Sequence, residues 1–129
     1  MLYEKIVQGS VDEMIGKLET ATVAHQFGVL GVHNLKQKMA DKGVAFGPEC
    51  RVLEVCNPGK AKTVLEADLS ISNALPCRIS VYEAGSSVVV STMKPTILIG
   101  LFDRPELEPV AREVEETLIR IIDSACEGT

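Results

Sequence analysis

The apolar residues of this chain change their spacing twice, and that change limits the folds open to it. From Ser10 the pattern is helical, with Val11, Met14, Ile15, Leu18 and Ala21 or Thr22 following the i, i+3, i+4, i+7 rule. The same period returns after Pro105, where Leu107, Val110, Val114, Leu118, Ile121, Ile122 and Ala125 form one stripe toward the chain end. Between the two lie short runs rich in branched and aromatic residues, bounded by Gly, Pro and Asn, as strands usually are. Strands gathered between two amphipathic helices predict an α+β sandwich, one antiparallel sheet covered on one face by two helices. Parallel winding would need a longer crossover helix between each strand pair.

Local signals set the boundaries. Leu2 to Gln8 reads as a first strand stopped by Gly9. Ser10 is a helix cap with Glu13 three residues on, as in a capping box. Gly28 ends that helix, Val29 to His33 forms a second strand, and Asn34 to Gly43 is a helical surface insertion held by Leu35 and Met39. Cys50 to Cys56 is a third strand, stopped by Asn57-Pro58-Gly59, and a helix follows over Lys60 to Ala67. Cys77 to Glu83 and Ser87 to Met93 read as a hairpin around Ala84-Gly85-Ser86. Thr96 to Phe102 holds too many large apolar residues for an ordinary loop. It is expected to plug the core beside the last helix, or to meet a second copy, rather than to form a pocket lid.

A chain of 129 residues, 46% hydrophobic, is expected to close as a single domain over 1–129 without a disulfide or metal staple. Thirteen basic residues scattered among eighteen acidic ones build no phosphate-neutralising face, so nucleic acid is not expected as a partner. Ile97-Leu98-Ile99 before Gly100 falls far short of the ~20 apolar residues that cross a bilayer, so no membrane span is expected. Met1 to Lys5 has no export-signal pattern, which makes the cytoplasm the expected location. Four cysteines, at 50, 56, 77 and 126, lack CxxC spacing and are expected to be thiols. No Walker loop, dinucleotide fingerprint, HExxH, GxSxG or EF-hand pattern occurs.

Phe27-Gly28-Val29-Leu30, Val55-Cys56-Asn57-Pro58 and Leu75-Pro76-Cys77-Arg78-Ile79-Ser80-Val81-Tyr82-Glu83 together resemble the bacterial and archaeal family catalogued as domain of unknown function family 302. The likeness covers nearly the whole chain. The VCNP turn followed about twenty residues later by LPC-x4-YE is more specific than either piece alone. The resemblance implies a β-α-β4-α order similar to the TATA-binding-protein-like fold, often as a homodimer. It implies no reaction and no cofactor, and a shared fold alone carries no function.

If strands two to five form a meander, the end of strand three and the start of strand four lie at the same edge of the sheet. That edge brings Cys56 and Cys77 together and receives the first helix's exit with His25 and Phe27. Three chemistries fit such a cluster: packing and turn formation, with Asn57 bonding its own backbone; a nucleophilic or redox thiol with His25 as base; or two thiolates and an imidazole around zinc with one position open. A binding or interaction module follows from the first, with a small-molecule ligand or a homodimer face at a rim of Cys56, Asn57 and Cys77. Thiol-dependent redox or metal handling is the alternative. His33 and Cys50 would gather at the opposite edge, as a weaker pair, and Cys126 reads as packing. Glu113, Glu115 and Glu116 read as a solvated helix face, and Glu83 has Arg78 as a possible partner.

Overall fold

The computed structural model describes residues 1–127. Its strands are β1 (Leu2–Val7), β2 (Gly28–Asn34), β3 (Cys50–Cys56), β4 (Cys77–Ala84) and β5 (Ser87–Met93). Its helices are α1 (Val11–Ala24), α2 (Leu35–Asp41), α3 (Pro58–Ala67), α4 (Pro95–Gly100) and α5 (Glu108–Cys126), with 3-10 turns at Leu69–Ala74 and Pro105–Leu107. The sheet order is β1-β5-β4-β3-β2, every neighbouring pair antiparallel. The last four strands are therefore a meander. Helix α1 carries the chain across the sheet from the β1 edge to the β2 edge.

Cross-strand partners share a face. Leu53 pairs with Ile79 and Arg51 with Val81, Val81 pairs with Val90, and Val88 pairs with Val7. Leu53, Ile79, Val81, Val90, Val88 and Val7, with Val55, are buried on the face that α1 and α5 cover. Val11, Met14, Ile15, Leu18, Ala21 and Thr22 bury one side of α1, whose Ser10 cap accepts from the Glu13 N–H at 3.0 Å. Leu118, Ile121 and Ile122 of α5 are fully buried, each burial contributing roughly 1.5–3 kcal/mol. Cys126 also belongs to this core.

Three details depart from the sequence reading. The last helix begins at Glu108 rather than at Pro105, because Pro109 has no N–H to return to Pro105 and the first turn tightens to 3-10. A register shift between Val29 and Gly31 leaves Leu30 as the unpaired residue of a bulge, exposed, while Val29 and Val32 pair with Val55 and Leu53. Glu115 is not a solvated carboxylate: it accepts from the Thr96 N–H at 3.1 Å and the Thr96 hydroxyl at 2.6 Å, fastening α4 to α5.

A second, smaller apolar cluster forms beyond the end of the sheet. Val64 of α3, Ile71, Ile99 of α4, Leu107 and Ala111 of α5 are its buried members, with Leu75, Phe102 and Val110 packed against them. The apolar segment after β5 thus supplies a core plug through Ile99, while Ile97 and Leu101 remain exposed. No helix among the described residues is long and apolar enough to cross a membrane.

Candidate functional site at the end of the sheet

Because neighbouring strands run in opposite directions, the end of β3, the start of β4 and the end of β5 meet at one end of the sheet, where Val55 pairs with Cys77 and Gly28 with Cys56. Helix α3 leaves β3 there, and α4 leaves β5 there. The two clusters do not close completely against each other at this point. A cavity of about 90 Å³ remains, lined by Phe27, Val55, Cys56, Asn57, Lys60, Ala61, Val64, Ala74, Leu75, Pro76, Cys77, Arg78, Met93, Pro95, Leu98, Ile99 and Val114. Phe27, Val55 and Val114 come from the main core, Val64 and Ile99 from the smaller cluster.

Of the five sequence candidates, Phe27, Cys56, Asn57 and Cys77 line this cavity and His25 does not. His25 is the C-cap of α1, and the next residue, Gln26, takes a left-handed conformation at φ 62°. That turn brings Phe27 inward, whereas the His25 imidazole lies 3.5 Å from the Ser124 hydroxyl on α5. The triad His25, Cys56 and Cys77 is therefore not assembled. No group of three or more His, Cys, Asp or Glu side chains among the described residues is placed to hold a metal ion.

None of the four cysteines forms a disulfide. Burial, helped by the neighbouring Cys56 and opposed by Arg78, pushes the Cys77 thiol up to about 11. Burial also raises Cys56. Both side chains are therefore protonated at neutral pH, whereas a nucleophilic cysteine needs a lowered value. Asn57 is the N-cap of α3: its Oδ1 accepts from the Lys60 N–H at 3.1 Å. That bond accounts for the Asn-Pro-Gly sequence, with Pro58 in the first turn where its missing N–H is harmless.

Charged groups stand at the rim. Lys60 Nζ lies 2.5 Å from Glu113 Oε2. Arg78 Nε lies 3.6 Å from Glu54 Oε2, so Arg78 pairs with Glu54 rather than with Glu83, which instead accepts from the Glu49 N–H at 2.6 Å. His33 Nε2 lies 2.8 Å from Glu54 Oε1, and its Nδ1 lies 2.8 Å from Lys38 Nζ. The His33 hydrogen bond, with the charges of His33, Arg78 and Lys38, holds the Glu54 carboxyl below its usual range despite some burial. His33 pairs with Val52 in register, two residues from Cys50, so the two share that end of the sheet without being direct cross-strand partners.

Sequence reasoning missed most of the cavity wall. Ala61 and Val64 fall one helical turn apart on α3, and Leu98 and Ile99 on α4 face the same space. The i, i+3 spacing of Ala61 and Val64 was the available signal, but it is too short to separate a wall from a minor packing face.

The fold and the cavity together define a small α+β protein with one antiparallel sheet and an apolar pocket at the end of the sheet. The chain belongs to the family described as domain of unknown function DUF302, whose family model matches residues 3–125. It is similar to the uncharacterized conserved DUF302 protein from Bacillus stearothermophilus seen in a crystal structure, at 32% identity and a TM-score of 0.90 over 98% of both chains. No curated protein matches it.

Proposed function

We propose that this protein is a cytoplasmic small-ligand-binding module whose ligand occupies the cavity at the end of the sheet, against Phe27, Cys56, Asn57 and Cys77. The observation that carries the reading is the composition of the wall: apolar side chains from both clusters surround a few polar groups, the usual make-up of a ligand pocket. An apolar cavity of about 150 Å³ takes up benzene, so about 90 Å³ suits a group of ~4 carbon atoms. At ~0.8 kcal/mol per carbon that burial alone supports only millimolar affinity. A tighter ligand must also use the polar rim.

The thiol-dependent alternative has less support, since neither Cys56 nor Cys77 has the lowered pKa that such chemistry requires. A nuclear magnetic resonance titration with hexanol tests the binding reading. Shifts should saturate at the end of β3 and on α3 and α4, and Ala61→Phe, which fills the space, should abolish them while the protein stays folded. Unshifted wild-type spectra, or shifts that survive in Ala61→Phe, would contradict it.

Self-association is a second reading. Leu2 and Ile6, exposed at 46% and 71%, lie on β1 at one edge of the sheet, on the face away from α1 and α5. Sedimentation should then show a dimer that Ile6→Glu dissociates, and a monomer up to high micromolar concentration would overturn it.

A further inference from the structure

The cavity wall is unusual in its charge. The chain carries eighteen acidic residues against thirteen basic ones, yet the lining residues include Lys60 and Arg78 and no aspartate or glutamate. The polar capacity left over is almost entirely that of donors. Lys60 has three ammonium N–H groups and one carboxylate partner, Glu113. Arg78 stands opposite Glu54 in register, on the sheet face away from the buried Ile79 and from α5, so Lys60 is the cation on the α5 side of the rim. Asn57 has committed its oxygen to the Lys60 N–H and keeps its amide N–H groups. Cys56 and Cys77 contribute neutral thiols.

From this we infer that the ligand is a short aliphatic monocarboxylate, its chain in the apolar cavity and its carboxylate at the rim beside the Lys60 ammonium and the Asn57 amide. The inference rests on the reading of the cavity as a ligand site and names the class of molecule it takes. A carboxylate is acceptor-only, which matches a rim of donors. A single negative charge fits better than the double charge of a phosphate, because Glu113 already offsets part of the Lys60 charge. A chain of about four carbons fills the space, and hexanoate, whose remaining chain carbon spans the mouth to the rim, is the probe.

Calorimetry at pH 7 with hexanoate, hexanol and hexylamine separates the possibilities. Hexanoate should bind about tenfold more tightly than hexanol, since a charge-assisted hydrogen bond is stronger than a neutral one and solvent at the rim reduces the gain. Hexylamine should bind more weakly than hexanol. Lys60→Gln should bring hexanoate down to about the affinity of hexanol, while Arg78→Gln, on the other face of the sheet, should leave the preference for hexanoate in place. Equal binding of hexanoate and hexanol in the wild type, or a preference that survives in Lys60→Gln, would overturn the carboxylate assignment and leave the cavity as a site. Failure of all three probes to bind would remove the site itself and this assignment with it.

Discussion

The two apolar clusters of this protein are built differently. The main core joins a five-stranded sheet to two long helices, and residues such as Leu18, Leu53, Ile79 and Leu118 are completely buried in it. The smaller cluster is assembled from short pieces: the ten-residue α3, the six-residue α4, two 3-10 turns and the first part of α5. Long elements bury continuous stripes and leave few voids, whereas short elements meet at angles set by their turns. The comparison places the cavity at the seam, where the second construction meets the first. Structural stability belongs mainly to one side, and the proposed binding to the boundary.

Substitution should divide the two regions most sharply. Leu118→Ala removes a fully buried side chain of the main core and should cost about 2–5 kcal/mol in denaturant unfolding. Leu98→Ala, in the cavity wall, should cost about 1 kcal/mol or less because its side chain already borders empty space. Equal losses at both positions would erase the distinction between core and seam.

Thiol chemistry sharpens it next. The Cys77 value raised from 9.0 to about 11 means that the folded protein favours the neutral thiol. The resulting stabilisation is complete below pH 9 and is lost as pH rises through about 11. Alkylation of Cys77 by iodoacetamide at pH 8 should therefore run about a hundredfold slower than that of an ordinary thiol, because the thiolate fraction falls with the shift. Its rate should keep rising beyond pH 9. A rate that levels off near pH 8 would show an activated cysteine and restore the thiol-dependent reading.

At the helix cap the expected effect is smaller. Asn57→Ala removes the acceptor for the Lys60 N–H and should destabilise the protein by about 1 kcal/mol. It should also weaken hexanol binding only slightly, since Asn57 positions α3 rather than forming the apolar wall. A larger loss of binding than of stability would make Asn57 a direct ligand contact.

The contrast between the regions also explains what the sequence could say. Helical periodicity in α1 and α5 is long enough to identify the buried stripes, and the antiparallel meander follows from the turns at Asn57-Pro58-Gly59 and Ala84-Gly85-Ser86. The meander in turn brought Cys56 and Cys77 to one end of the sheet. His25 was misplaced because nothing in its neighbours signals that Gln26 adopts positive φ, the turn that separates the imidazole from Phe27. Lys60, Ala61, Val64 and Leu98 went unrecognised because α3 and α4 are too short for their faces to be distinguished by period. Their common location depends on distant packing, as does the Thr96–Glu115 link that holds α4 in place.

Xenon under pressure tests the seam most directly, since an accessible apolar cavity takes up xenon without help from charge or hydrogen bonding. Crystals of the protein should show a xenon atom bordered by Val55, Val64 and Leu98, and none beneath α1 and α5. A main core that accepts xenon while the seam does not would contradict the division of this molecule into a closed core and an open boundary.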